Sequence, residues 1–235
     1  MKEKIIIATI KSWNIDNAYK FRELYKNKYE VIIFRDKKEL NKNIINSINP
    51  KWIFFPHWSW IIPSEIYKKY TCVVFHITDL PFGRGGSPLQ NLISKKIYET
   101  KISALKVTEK LDAGPIYLKE NFYIGLGSAE EIFIQASEII FFKMIPFIIT
   151  KNLIPIEQSG NITIFKRRKL EESDLISADL SSLSDFYDYI RMLDGEGYPK
   201  AFINFGEFKV EFSEVHKKVD KIVGKFEIFR KGNKK

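Results

Sequence analysis

Short apolar runs recur along the first hundred residues, with polar or amphipathic stretches between them. Lys4 to Ile10, Tyr29 to Phe34, Trp52 to Phe55 and Cys72 to Phe75 read as strands. Asp16 to Lys26, Lys38 to Ile48 and Ser64 to Tyr70 read as the helices that separate them. Brief apolar strands alternating with helices predict a parallel sheet covered on both faces. Ser87 and Pro88 open another helix, with the serine as N-cap and the proline in the first turn. Strands follow at Lys101 to Val107 and Ile116 to Leu118. Ser128-Ala129-Glu130-Glu131 is a capping box ahead of a long helix reaching Ile149.

Beyond Pro155 the pattern changes. A strand-like Ile162 to Lys166 leads into an acidic, Ser-rich stretch, Glu171 to Ser184, and a helix over Asp185 to Leu193. Ala201 to Phe205, Glu207 to Phe212 and Lys225 to Phe229 then read as β. The expected fold class is α/β: a Rossmann-like, mostly parallel sheet with helices on both faces, followed by a small β-rich C-terminal unit. The expected division is 1–155 for the Rossmann-like catalytic domain, 156–184 for a linker and 185–235 for the β-rich region.

Composition changes this picture little. With 45% apolar and 14% aromatic residues the chain can build a core, which excludes disorder. The apolar run Glu138 to Ile149 is broken by Lys143 and Pro146 and is too short to span a bilayer, so it reads as a buried helix. Met1-Lys2-Glu3-Lys4-Ile5 enters a strand at once and lacks the apolar region of a signal peptide. A cytoplasmic protein with no membrane partner is the expectation. The single cysteine, Cys72, excludes a disulfide scaffold and reads as a core thiol, and no metal is expected. The net charge of +9 is partly a matter of the last six residues, Arg230 to Lys235, which carry four positive charges and read as a frayed tail. Apart from Lys166-Arg167-Arg168-Lys169, the other lysines are scattered among acids. Such a surplus suits anionic small molecules as well as nucleic acid.

Two segments at strand ends carry the candidate chemistry, because ligands of doubly wound sheets bind there. One is Pro56-His57-Trp58-Ser59-Trp60-Ile61-Ile62-Pro63. The other runs from His76 through Thr78, Arg84, Gly85 and Gly86 to Pro88. Three glycines, an arginine and a helix start in one loop permit close backbone approach and can hold an anion. A histidine at the head of that loop adds a group that titrates near neutral pH.

His76, Leu80-Pro81, Arg84-Gly85 and Pro88, together with Leu111-Asp112-Ala113-Gly114-Pro115, resemble the paired motifs of the formyltransferase family. That family includes methionyl-tRNA formyltransferase, glycinamide ribonucleotide transformylase and the sugar N-formyltransferases. The resemblance spans roughly residues 50 to 205 and takes in Thr163 to Arg168, Ile190 to Asp194 and Tyr198-Pro199. It implies N10-formyltetrahydrofolate as formyl donor and a primary amine as acceptor. His76 is then the proton acceptor and Asp112 its orienting carboxylate, a combination that suits a tetrahedral intermediate. The family usually places an Asn two residues before the His, as an oxyanion donor, and here that position is Val74. His57, Ser59, Thr78 and Asn91 are candidate replacements, and His57 is preferred because it ends the neighbouring strand. Donor binding is expected at Trp58, Ser59, Trp60 and Ile61 and at Thr108, Lys110 and Leu111. The closest whole-chain resemblance is to sugar N-formyltransferases of the pseudaminic-acid type, which implies a nucleotide-linked amino sugar such as a UDP-4-amino-4,6-dideoxy sugar. Lys11, Trp13, Asn14, Thr78, Arg84, Gly85, Gly86, Arg167 and Tyr198 are expected to hold it. On this reading nucleic acid is not a partner, and the chain pairs as a homodimer. The alternatives are an enzyme like methionyl-tRNA formyltransferase and a catalytically silent folate-binding relative, the latter favoured only by Val74.

Overall fold

The computed structural model describes residues 2–232, so the last part of the charged tail, 233–235, lies outside the described residues. In chain order the elements begin β1 (Glu3–Ala8), α1 (Ser12–Tyr25), β2 (Tyr29–Phe34), α2 (Lys42–Ile48), β3 (Trp52–Phe55), α3 (Ser64–Tyr67) and β4 (Thr71–His76). The two-residue β5 (Arg84–Gly85), α4 (Pro88–Ser94), β6 (Glu99–Lys106) and β7 (Ile116–Tyr123) follow. The large sheet has the order β2-β1-β3-β4-β6-β7. Its first four strands are parallel and β6 runs antiparallel to β4. From β1 the chain crosses outward to β2 and then back past β1 to β3, so right-handed crossovers put α1 and α2 on opposite faces. The order reverses between β1 and β3, and Thr9 Oγ1 donates to the Pro56 carbonyl at 2.7 Å just beyond their C-terminal ends. That is the switch point where such sheets bind ligands.

Several element boundaries differ from expectation for local reasons. The expected helix over Lys38 to Ile48 is split, because Asp36 and Glu39 close a capping box around a 3₁₀ turn and Asn41 then caps α2 afresh. Ser87 precedes α4 in a left-handed conformation (φ 49°) and makes no side-chain cap bond; its hydroxyl accepts from the Arg168 N–H. The Ser128–Glu131 capping box forms as expected. It opens a helix of three parts, α5 (Ala129–Ile139), a π turn (Ile140–Met144) and α6 (Ile145–Lys151). These join into 23 residues, long and apolar enough by length and composition to cross a membrane, although just over half of the most apolar window is buried in the protein. Phe141 on this helix packs edge-on against Phe21 of α1 at 6.3 Å.

The later elements are the two-residue β8 (Ile164–Phe165), α7 (Leu183–Arg191), β9 (Ala201–Phe205), β10 (Phe208–Lys217) and β11 (Ile222–Arg230). The last three form an antiparallel sheet of order β11-β10-β9. The chain gathers into two compact units whose segments interleave. One takes in residues up to Gly85, Thr100–Phe122 and Ile134–Ile164; the other takes in Gly86–Glu99, Tyr123–Phe133 and Phe165 onward. These units divide the chain on different lines from the scheme 1–155, 156–184 and 185–235.

In the first unit a buried cluster includes Ile6, Ile53, Phe55, Ile66 and Cys72. Burial pushes the Cys72 thiol up to about 12, which keeps it protonated and inert.

Candidate active site

β4 delivers His76 to the edge of the core, where it is 8% exposed. Its ring Nε2 lies 2.8 Å from the Gly83 carbonyl. A carbonyl only accepts, so Nε2 carries the proton in the neutral ring and Nδ1 keeps its lone pair. Nδ1 faces Asp112 Oδ2 at 3.8 Å, both side chains being nearly enclosed. Gly83 turns the chain back with φ 75°, and Leu80–Pro81 is cis. The hydroxyl of Thr78 is buried inside this loop, directed at Gly83 O, and Ser103 Oγ donates to Thr78 O at 2.7 Å.

Asp112 sits on a tight turn with φ 53°, a left-handed conformation that a non-glycine residue adopts only when its surroundings hold it there. Oδ2 accepts from the Gly85 N–H at 2.9 Å. A side chain at Gly114 would bring its Cβ to 1.8 Å from the Lys106 carbonyl, which explains the glycine of the Asp-Ala-Gly-Pro motif. The Arg84 guanidinium binds Gln158 Oε1 through Nε at 3.1 Å and Nη2 at 2.8 Å. Below the loop, Lys101 and Lys119 pair with Asp79 at 3.0 and 2.5 Å, and Lys119 also reaches the Leu80 carbonyl. Burial opposes ionisation of Asp79, yet the hydrogen bonds and charges of Lys119 and Lys101 outweigh it and hold the carboxyl below its usual range.

The two loops expected to meet the folate are rooted in the same core cluster, since Trp58 and Val107 both pack on it. Trp58 lies edge-on to Trp60 at 4.8 Å, and its indole N–H is buried without a partner. Trp60, Ile61 and Leu111 are exposed apolar side chains, while Ser59 and Lys110 face solvent. Thr108 Oγ1 donates to Lys110 O at 3.3 Å.

At the switch point Trp13 and His57 make an edge contact at 6.1 Å, with His57 in a left-handed conformation (φ 54°). Lys11 lies over the Trp13 ring, and Asn14 is buried with no partner for Oδ1. Val74, at the position where a donor was expected, packs against the core cluster. In the second unit, a Cβ on Gly86 would meet Arg167 Cβ at 2.5 Å. Tyr198 stacks on Phe133 at 5.4 Å, and burial pushes its phenol up to about 12 against the opposing charge of Arg167. Gln158, Lys101 and Lys119 escaped the sequence reading of the site because none belongs to either motif, and Asp79, though inside the His76 loop, was given no role.

This chain is 53% identical to a solved structure, methionyl-tRNA formyltransferase from Clostridium thermocellum, over 97% of its own length and 99% of the other, with a TM-score of 0.94. The chain belongs to the formyltransferase family. Residues 170–229 match the family described as methionyl-tRNA formyltransferase, C-terminal domain. A curated methionyl-tRNA formyltransferase from Bacillus mycoides is 30% identical over 166 residues, 68% of this chain and 52% of that protein. The chain spans about half the length of the curated relatives it matches. A 4-N formyltransferase from Francisella tularensis shares the fold, with a TM-score of 0.68, at 16% identity over 87% of this chain and 93% of that one.

These findings overturn the expected nucleotide-linked amino sugar and the exclusion of nucleic acid as partner. The 4-N formyltransferase that shares the fold is only 16% identical, so its likeness carries the fold and not the acceptor. The β-rich region expected over 185–235 overlaps residues 170–229, which match a C-terminal domain named for methionyl-tRNA formyltransferases. Among its lysines, Lys200 pairs with Glu227, Lys209 with Glu211 and Lys225 with Glu214.

Proposed function

We propose that this chain transfers a formyl group from N10-formyltetrahydrofolate to the amine of methionyl-tRNA. The observation that carries the reading is the end-to-end match at 53% identity to a protein of that name. His76 Nδ1 is the proton acceptor in this scheme. As the amine attacks the formyl carbon, its nitrogen gains positive charge and loses a proton to a nearby base; the bond from that carbon to the donor's N10 then breaks, N10 takes up a proton and tetrahydrofolate leaves. Nδ1 is the ring nitrogen with its lone pair free, and once protonated it faces the Asp112 carboxylate, which stabilises the imidazolium. His57 is proposed to stabilise the oxyanion in place of the missing Asn. Trp58 to Ile61 and Thr108, Lys110 and Leu111 are proposed to flank the pterin. Lys11, Trp13, Asn14, Arg84, Gly85, Gly86, Arg167 and Tyr198 are kept as candidate acceptor contacts, whereas the enclosed Thr78 supports the loop. A cytoplasmic location and pairing through the β-rich region belong to the same reading.

The test is to incubate the protein with N10-formyltetrahydrofolate and either charged initiator tRNA or glycinamide ribonucleotide, following tetrahydrofolate release and acceptor mass. A gain of one formyl group on the aminoacyl-tRNA, abolished in His76→Ala, is the expected result. Formylation of glycinamide ribonucleotide alone would reassign the acceptor. Folate binding without transfer to either would make Val74 the mark of a silent relative.

A further inference from the structure

Gln158 lies in a stretch, 156–160, whose other members are exposed, and it alone is turned inward. Its side-chain oxygen accepts twice from Arg84, and its amide nitrogen donates to Asp112 O and Gly114 O, each at 2.8 Å. Two acceptor and two donor bonds use the whole capacity of a primary amide. The partners belong to the two motifs that supply His76 and Asp112. The surrounding segment is stitched to the same loops through its backbone. Ile156 and Ile116 exchange N–H···O bonds at 2.7 and 2.9 Å. Farther along, Arg84 N–H donates to Thr163 O at 2.9 Å and Thr163 N–H to Pro81 O at 3.3 Å. The segment thus forms a strap across both motif loops, with Gln158 at its centre.

We infer that Gln158 is a positioning residue for the His76–Asp112 pair, an inference that rests on the proposed transfer reaction. Asp112 sits in a left-handed conformation that is strained for a non-glycine residue and is stabilised here by its hydrogen bonds. The Gln158 amide holds that residue's carbonyl, and the Gly85 N–H holds its carboxylate. Arg84, adjacent to Gly85, is held by the other end of the same amide. One side chain therefore sets the distance between the carboxylate and the loop that presents His76. Displacement of a catalytic group by about 1 Å can lower rate by roughly a hundredfold.

Three variants separate this role from simple support. Gln158→Leu removes all four bonds. Gln158→Glu keeps an acceptor for Arg84 but turns a second oxygen toward two carbonyls. Gln158→Asn keeps the amide on a shorter stem. The first measurement is hydrogen exchange of the Gly85 amide, which needs no acceptor. We expect exchange to quicken tenfold or more in Gln158→Leu and Gln158→Glu, with β1 and β3 amides unchanged and Gln158→Asn intermediate. The second is steady-state transfer, where kcat falls ten- to a hundredfold and KM for the folate donor stays within a factor of about two. Unchanged Gly85 exchange would overturn the inference, and so would equal quickening across β1 and β3, which marks a structural brace. If the unaltered protein transfers no formyl group, the proposed function fails while Gly85 exchange still decides the role of Gln158.

Discussion

The motif loops and the C-terminal sheet solve the same problem, holding irregular or edge backbone in place, by opposite means. Around His76 and Asp112 the chain turns through left-handed conformations at Gly83, Gly85 and Asp112. Each turn is held by a specific side chain or N–H. In β9 to β11 a backbone ladder does most of the holding, broken by one bulge between Ser213 and His216 where Asp194 accepts from the Glu214 N–H at 2.7 Å. Register places Ile203, Phe205, Phe208, Val210, Phe212, Phe226 and Ile228 on one face, and Phe205, Phe226 and Ile228 are more than half exposed. The ion pairs at Lys225–Glu214 and Arg230–Glu207 are also exposed. Over-determined geometry makes single atoms matter; a backbone ladder tolerates exchange of most of its side chains.

Substitutions sharpen or break that contrast. The largest effect is expected from His76→Ala, a loss of about 10²–10⁴ in kcat measured by tetrahydrofolate release, with melting temperature little changed. His57→Ala should cost about 10²–10³ if it has taken over the oxyanion role, and unchanged turnover would remove it from the scheme. Gly114→Ala must displace the Lys106 carbonyl or the Asp112 turn, so we expect a loss of about 1–3 kcal/mol in denaturant unfolding. A neutral result there would refute the claim of an over-determined turn.

Smaller effects test the margins. The folded-state pKa of Asp79 is lowered, so its carboxylate adds stability above the unfolded value, near pH 4, and that contribution disappears as the pH falls through the folded value. Asp79→Asn should therefore lose under about 1 kcal/mol at neutral pH, given its partial exposure, and little in acid. A deficit independent of pH would point to packing instead. Phe226→Ser should change stability by no more than about 0.5 kcal/mol. A large loss would show that the exposed face is structurally engaged, and would erase the difference between the two regions.

The strands and most helices were legible because apolar periodicity is a local property. β2, β3 and β9 end where the pattern ends. Helix α1 starts at Ser12, four residues before the expected Asp16, because its first turn is buried and shows no cap or acidic start. The candidate site was half legible. His76 and Asp112 stand in motifs whose glycines and prolines are dictated by the turns they make. Gln158 stands in Glu157-Gln158-Ser159-Gly160, which reads as solvent-exposed loop. The acceptor was misread, since loops built for formyl transfer say nothing about which amine arrives.

Sequence by itself determined the order of strands and helices, the Rossmann-like start and the two chemical motifs, because each depends on side chains adjacent in the chain. Only the tertiary structure decided that His76 turns Nε2 to the Gly83 carbonyl and Nδ1 to Asp112. It also decided that residues 156–163 form a strap, and that one glutamine joins groups 44, 46 and 74 residues away. The reason is physical: a hydrogen bond between distant residues leaves no periodic trace, and its partners are chosen only when the chain has closed around them.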